Sequence, residues 1–253
     1  MIFRNFVVIS LTAFLVSCGG GSGSPNNQSA NSSNNQSANS SNNQSADGVW
    51  TGSVTHSDGT SSEVIAISSG EEFIIVDAVS DVIFSGSLDI SGDKLSATTA
   101  NQYEYDGSYI MYYEIDGIVN TKSKIIADVI DVESGNKSSL NLDYEILSDE
   151  PITYSDLSGS WYFQGDDDVY RREDIDDIGA FTTEDDGCII SGKFSIPNNE
   201  QIIVTTEFTV SGESKCFKGN YSGLGVLLVE DEIIAVGVNN QYAIFQSFLK
   251  IDE

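Results

Sequence analysis

The sequence predicts an all-β protein: two small antiparallel up-and-down domains, of barrel or sandwich type, behind a disordered tether. Three observations carry that reading. Apolar residues alternate with a period of two in nearly every folded segment, and short Gly/Asn/Asp/Ser turn signals separate the alternating runs. The only two tryptophans, in Gly48-Val49-Trp50 and Gly159-Ser160-Trp161, open two segments of about 100 residues each. No segment beyond the leader keeps a capped 3.6-residue stripe, so helices are expected only as single turns.

The leader comes first. Residues 1–5 carry Arg4 as their only side-chain charge, and residues 6–16 form an apolar run of eleven. A transmembrane helix needs about 20 apolar residues, whereas a secretory signal needs roughly 7 to 15 followed by small ones. Leu15-Val16-Ser17-Cys18 resembles the lipobox of bacterial lipoproteins. The resemblance implies a signal peptide over 1–17 and a lipidated Cys18, with diacylglycerol on its sulfur and an acyl chain such as palmitate on its amine. Each buried methylene contributes about 0.8 kcal/mol, and two or more chains anchor stably where one does not. Gly19, where an inner-membrane retention signal would place Asp, implies by the same resemblance the outer membrane, facing the periplasm or the cell surface. An ordinary secretory peptide with an incidental Cys18 is the plain alternative.

Residues 19–46 hold no charge, no aromatic and no aliphatic side chain larger than Ala, and the octet NNQSANSS repeats at 26–33 and 34–41. Such a segment buries too little apolar surface to offset roughly 1 to 2 kcal/mol of ordering entropy per residue. The stretch 18–46 therefore reads as a lipidated Cys and a disordered linker, with a typical span of ~30 Å. Domains follow at 47–150 and 151–253, with seven to nine strands expected in each.

The chain has 39 acidic and 11 basic residues, a net charge of −28; all the acidic ones and all the basic ones except Arg4 lie beyond residue 46, where the net charge is −29. Nucleic acid and anionic lipid surfaces are excluded as partners of such a polyanion, whose charge suggests a saline milieu or cationic partners. With three Cys and one His, little material remains for zinc, haem or imidazole chemistry, and no cofactor or metal is expected.

In the body, residues 201–210 alternate: Ile202, Val204, Thr206, Phe208 and Val210 share one face, while Ile203, Thr205, Glu207 and Thr209 share the other, as in a half-buried strand. Val82-Phe84-Gly86-Leu88-Ile90 and Leu140-Leu142-Tyr144-Ile146 repeat the pattern. Turns are expected at Ser57-Asp58-Gly59, Ser91-Gly92-Asp93, Ser134-Gly135-Asn136, Pro197-Asn198-Asn199, Ser211-Gly212-Glu213, Asn239-Asn240 and Asp177-Ile178-Gly179.

Asp186-Gly187-Cys188, Ser191-Gly192, Cys216, the run Gly219-Asn220-Tyr221-Ser222-Gly223-Leu224 and Ala235-Val236-Gly237-Val238 resemble the C-terminal half of a family of uncharacterised lipoproteins of Gram-negative bacteria. Gly48-Val49-Trp50-Thr51-Gly52 resembles the start of their first half. The Gly-x-Trp openings are also similar to those of lipocalin-like barrels, which implies apolar ligands in a barrel mouth. The shared motifs are mostly turn glycines and imply no chemistry.

Once Cys18 is lipidated, Cys188 and Cys216 form an even pair in an oxidising compartment, and a disulfide between them is expected; two buried free thiols are the alternative. In a meander their strands flank residues 202–210, two spacings or nearly 10 Å apart, so a bridge must cross beyond that strand's end. The carboxylate runs at 166–168, 173–177 and 184–186 read chiefly as a solvated charged strand; they have the oxygen ligands calcium prefers but not EF-hand spacing. Tyr103, Tyr105, Tyr109, Tyr112 and Tyr113 are the candidate binding surface, able to stack on sugars or peptides, against the plain reading that Tyr109, Met111 and Tyr113 point into the core. His56, beside a turn, reads as an exposed loop residue. The expected function is a non-catalytic binding or envelope-interaction module, held to the membrane through its lipid, with an unidentified cationic, envelope or carbohydrate partner. The alternatives are a lipocalin-like carrier of an apolar ligand, which predicts a hollow barrel, and a carboxylate-dependent glycosidase, which predicts paired carboxylates about 5 to 9 Å apart in a cleft.

Overall fold

The computed structural model describes residues 44–77, 79–80, 82–104, 108–164, 169–198, 201–228 and 232–251, with the side chains of Ile110 and Gln164 excepted. The leader, Cys18, the linker up to residue 43, Tyr105 and the acidic residues 166–168 lie outside the described residues.

The chain forms two closed antiparallel barrels. The first contains β1 (Gly48–Thr55), β2 (Ser61–Ser69), β3 (Glu72–Asp77), β4 (Val82–Ser87), β5 (Asp89–Ser91), β6 (Lys94–Glu104), β7 (Tyr109–Asn120), β8 (Lys124–Asp131) and β9 (Lys137–Tyr144). Neighbours in sequence pair, β1 also pairs with β9, and β4 pairs with β6, which closes the ring. The short β5 continues β4 along the same edge of β6, so the ring has eight members. A 3₁₀ turn, Ile146–Asp149, and a four-residue helix α1, Tyr154–Leu157, lead into the second barrel. That barrel runs β10 (Gly159–Gln164), β11 (Tyr170–Ile175), β12 (Ala180–Asp185), β13 (Cys188–Ser195), β14 (Ile203–Gly212), β15 (Gly219–Leu228), β16 (Glu232–Val238) and β17 (Ala243–Lys250), and β10 pairs with β17 to close it. The described helices are single turns, as expected. The α1 turn opens with a capping box in which the Asp156 carboxylate accepts from the Thr153 backbone N–H at 2.7 Å.

Each barrel starts on a glycine in the left-handed region, Gly48 at φ 143° and Gly159 at φ 125°, two residues before a fully buried tryptophan. A side chain at Gly48 would also collide with the Tyr144 ring, 2.3 Å from where its Cβ would lie. Inside barrel 1, Trp50 packs with Val64, Phe73, Ile75, Leu95, Ile115 and Leu142. Inside barrel 2, Trp161 is joined by Phe163, Phe181, Phe194 and Phe248, with Phe194 in ring contact with both Phe181 and Phe248.

A second apolar layer lies between the barrels. Val49, Ile67, Ile74, Val76, Ile83 and Tyr103 do not join Trp50's cluster; they belong to one continuous cluster with the residues of barrel 2. Their counterparts are Ile203, Leu224, Val226, Ile234 and Val236, which the register places on one face of β14–β16, and β15 lies against β2 and β3. Burial on both faces explains why these strands carry continuous apolar runs such as Phe73-Ile74-Ile75-Val76 and Ile233-Ile234-Ala235-Val236. The half-buried reading of 201–210 is corrected here: Val204, Thr206, Phe208 and Val210 do face inward, but Ile203 on the opposite face is 1% exposed because it sits in the seam. Similarly Leu140 and Leu142 fill barrel 1, while Ile146, which continues their alternation, lies beyond the strand end and is exposed.

The barrels stand side by side with their tryptophan-plugged ends together. At that base the Ile202 N–H donates to the Ser148 carbonyl at 3.2 Å, and the Val49 N–H donates to Ser148 Oγ at 2.8 Å. At the opposite rim the Tyr103 hydroxyl donates to the Asn239 carbonyl at 2.8 Å, and Ser108 forms a bridge with Tyr242. The chain enters at the base. Its residues 44–46, read from composition as tether, are part of barrel 1: the Thr121 N–H donates to Gln44 Oε1, the Ser45 N–H donates to Thr121 Oγ1, and Ala46 is buried. Ala46 is ordered because its carbonyl accepts the Trp50 indole N–H at 2.7 Å, a contact four residues along the chain that composition does not reveal.

Candidate functional site

The tyrosines divide between two faces. The β6–β7 register pairs Ala100 with Tyr113 and Gln102 with Met111, then skips residue 110 and pairs Tyr103 with Tyr109. This bulge turns Tyr109 away from the face of Met111 and Tyr113. Tyr113 therefore packs inward against Phe84, with ring centres 5.3 Å apart, while Tyr103, Tyr109 and Tyr112 line the outside at the rim of the seam. The expected core set Tyr109, Met111 and Tyr113 is thus corrected at Tyr109.

Tyr103 is 1% exposed and structural, clamped to Asn239. Tyr109 is half-buried, 6.0 Å from Tyr103 and 5.3 Å from Tyr112, and Tyr112 is 56% exposed. Barrel 2 adds Tyr242 and Phe217 to the same rim, with ring centres 4.7 Å apart. The Tyr109 phenol is raised, first by burial and then by its hydrogen bond with Tyr112; burial likewise raises Tyr103. Both of these phenols therefore stay uncharged through the physiological range.

At the base a cleft of about 560 Å³ lies between the barrels, lined in part by Asp47, Thr121, Lys122, Asp149, Asn198 and Gln201. Its carboxylates are engaged: Asp47 accepts from the Gly70 N–H at 2.7 Å, and Asp149 accepts from Lys122 Nζ at 2.7 Å and from the Tyr144 hydroxyl at 2.8 Å. Burial opposes ionisation of Asp149, but the Lys122 and Tyr144 hydrogen bonds outweigh it and hold the carboxyl below its usual range. The void inside barrel 1 is small, about 30 Å³, and lined by apolar side chains around Trp50.

The chain's one histidine is not a free loop residue. His56 Nε2 lies 3.1 Å from Ser62 Oγ and 3.6 Å from Asp77 Oδ2, with Ser80 Oγ at 3.4 Å. Asp77 is fully buried, and its other oxygen accepts the Val79 and Ser80 N–H groups. In a hydrolytic triad the carboxylate and the hydroxyl engage opposite ring nitrogens. Here they crowd the same one, so the group pins the β3–β4 loop to the β1–β2 turn.

Cys188 and Cys216 are disulfide-bonded, with Cα atoms 5.5 Å apart. Cys188 pairs with Gly212 at the end of β14, and Cys216 lies in the loop just past it, so the bridge crosses beyond the middle strand's end as expected.

The acidic strand departs most from expectation. Asp174 faces solvent, bonded to Ser160 and Arg172, and both hydrogen bonds lower its carboxyl. Glu173, read with it as part of a charged face, is 1% exposed and sits opposite Trp161 inside barrel 2. Burial, with a smaller contribution from the Asp174 charge, pushes its carboxyl up to about 8. Composition hid this because Glu173 sits within a run of solvated carboxylates; the period-two spacing from Ile175, an inward residue, was the signal available.

Among the described residues no helix is long and apolar enough to cross a membrane, and no cluster of three His, Cys, Asp or Glu is arranged to hold a metal ion. Compared with protein-family models, curated proteins and solved structures, the chain matches none of them.

Proposed function

We propose that the chain is a lipid-anchored outer-membrane lipoprotein whose paired barrels act as a non-catalytic binding module, engaging neutral saccharide of the cell envelope through the tyrosine strip. The observation that carries this reading is the strip's position and character. Tyr109 and Tyr112 offer aromatic rings at the rim, the end opposite the point where the linker enters. Aromatic faces stack on the apolar faces of sugars, and a body of −29 charge favours a neutral ligand over an anionic one. A linker entering at the base leaves the rim pointing away from an anchored N-terminus, which suits a receptor for ligands outside the bilayer.

Storage of an apolar ligand inside a barrel is the weaker reading. The space in barrel 1 is about 30 Å³, far below the roughly 300 to 1,000 Å³ of small-molecule pockets, and aromatic rings occupy barrel 2. Catalysis is not assigned, because the His56 group lacks triad geometry and the cleft carboxylates are committed to structural partners.

Radiolabelled palmitate tests the anchor. Incorporation that is lost in Cys18→Ser supports it; absence of label in the wild-type chain, or label that survives Cys18→Ser, removes it.

A further inference from the structure

Barrel 2 has one weak seam. β11 and β12 are joined by the single ladder pair Ile175–Phe181, whereas every other neighbouring pair in this barrel is joined at three or more positions. Beside that seam Glu173 points inward with both carboxyl oxygens buried and without a hydrogen-bond partner among the described residues.

The surroundings of Glu173 define what it can receive. Across β10 lies Trp161, and beyond it on β17 is Lys250, whose Nζ is held 5.3 Å from the centre of the Trp161 ring by donating to the Asp156 carbonyl at 2.8 Å. On β12, across the seam, lies the buried hydroxyl residue Thr183. Nearer the rim, Arg171 and Asp185 form an ion pair at 3.0 Å across the seam, and Asp174 faces outward. The nearby cations are therefore engaged elsewhere, and none closes on Glu173 among the described contacts.

We propose that the β11–β12 seam admits a small primary alkylammonium ligand, whose charged head Glu173 receives and the Trp161 ring flanks. A carboxylate in an apolar interior is costly unless a cation or several donors satisfy it, and an ammonium supplies both charge and three N–H groups. An aromatic neighbour adds cation–π attraction. The seam offers entry without unzipping a full ladder. Because Phe163, Phe181, Phe194 and Phe248 fill the interior, the head must be compact and the alkyl tail must lie in the seam. This site is separate from the tyrosine strip and does not depend on it.

The test uses the full chain in detergent micelles, titrated with butylammonium chloride and followed by the two indole N–H resonances, with Trp50 as the internal control. At pH 9 the Trp161 signal shifts saturably and the Trp50 signal does not. At pH 6 binding is about 90-fold weaker, because a carboxyl with a pKa of about 8 is then almost wholly protonated. Glu173→Gln abolishes the shift. No saturable shift at pH 9, an equal affinity at pH 6, or an undiminished shift in Glu173→Gln each overturns the proposal. The pH comparison uses only the wild-type chain, so the test stands even where the variant folds poorly.

Discussion

Trp50 and Trp161 hold equivalent places in their barrels. Each indole N–H donates to the carbonyl four residues earlier, Ala46 at 2.7 Å and Leu157 at 2.8 Å, and each follows a left-handed glycine by two residues. The bond ties the entering chain across the barrel base, so the ring acts as both plug and latch. Truncation removes a large buried surface and leaves a carbonyl unpaired. Trp161→Ala is expected to cost about 3 to 5 kcal/mol, measured by urea unfolding, with Trp50→Ala similar. A loss below about 1 kcal/mol at either site would refute the latch.

The seam between the barrels predicts shared stability. Leu224 is fully buried outside its own barrel, among residues of both. Leu224→Asp places a charge there without touching either interior, and is expected to split one cooperative unfolding transition into two. Two separate transitions in the wild-type chain would show instead that the barrels fold independently.

Glu173 predicts an alkaline weakness. Its folded pKa of about 8 lies above the ordinary carboxyl value, so the folded state holds a proton that the unfolded state has released. Its contribution is fully present below about pH 4.5, declines as pH rises, and is gone above about pH 8, a swing of at most on the order of 5 kcal/mol. Glu173→Gln should remove that pH dependence and raise the melting temperature at pH 9. A variant whose stability falls between pH 5 and 9 as steeply as the wild type's would contradict the assignment.

The Cys188–Cys216 bridge closes a loop of sequence separation 28 at the rim of barrel 2. Chain entropy gives about 3.5 kcal/mol for such a loop, so reduction should destabilise barrel 2 by roughly that amount. The check is urea unfolding with and without reductant, alongside a gel shift of alkylated protein; free thiols in unreduced protein would dismiss the bond.

What sequence made legible followed from local rules. Alternation over 201–210 correctly assigned the inward face, because a strand's period is independent of its neighbours, and the two cysteines beyond the linker are paired with each other, as their even number led one to expect. The misses share a cause. Ile203 is apolar on the outward face because a second barrel covers it, and alternation cannot distinguish solvent from such a cover. Tyr109 changed faces through a bulge at residue 110, a pairing event visible only across two strands. Glu173 was masked by its acidic neighbours, and its burial follows from standing opposite Trp161. The order of Gln44 to Ala46 likewise depends on Thr121 and Trp50, far along the chain or across a turn.

The central claim, that the exposed tyrosine strip is the binding surface, is tested most directly by equilibrium binding of the full chain to a panel of neutral and acidic envelope oligosaccharides, compared with the variant Tyr109→Ala/Tyr112→Ala. The account predicts saturable binding to neutral members that falls at least about tenfold in the variant, with its circular dichroism and melting temperature essentially unchanged. Equal binding by the variant, binding confined to acidic members, or no binding to any neutral member would contradict it.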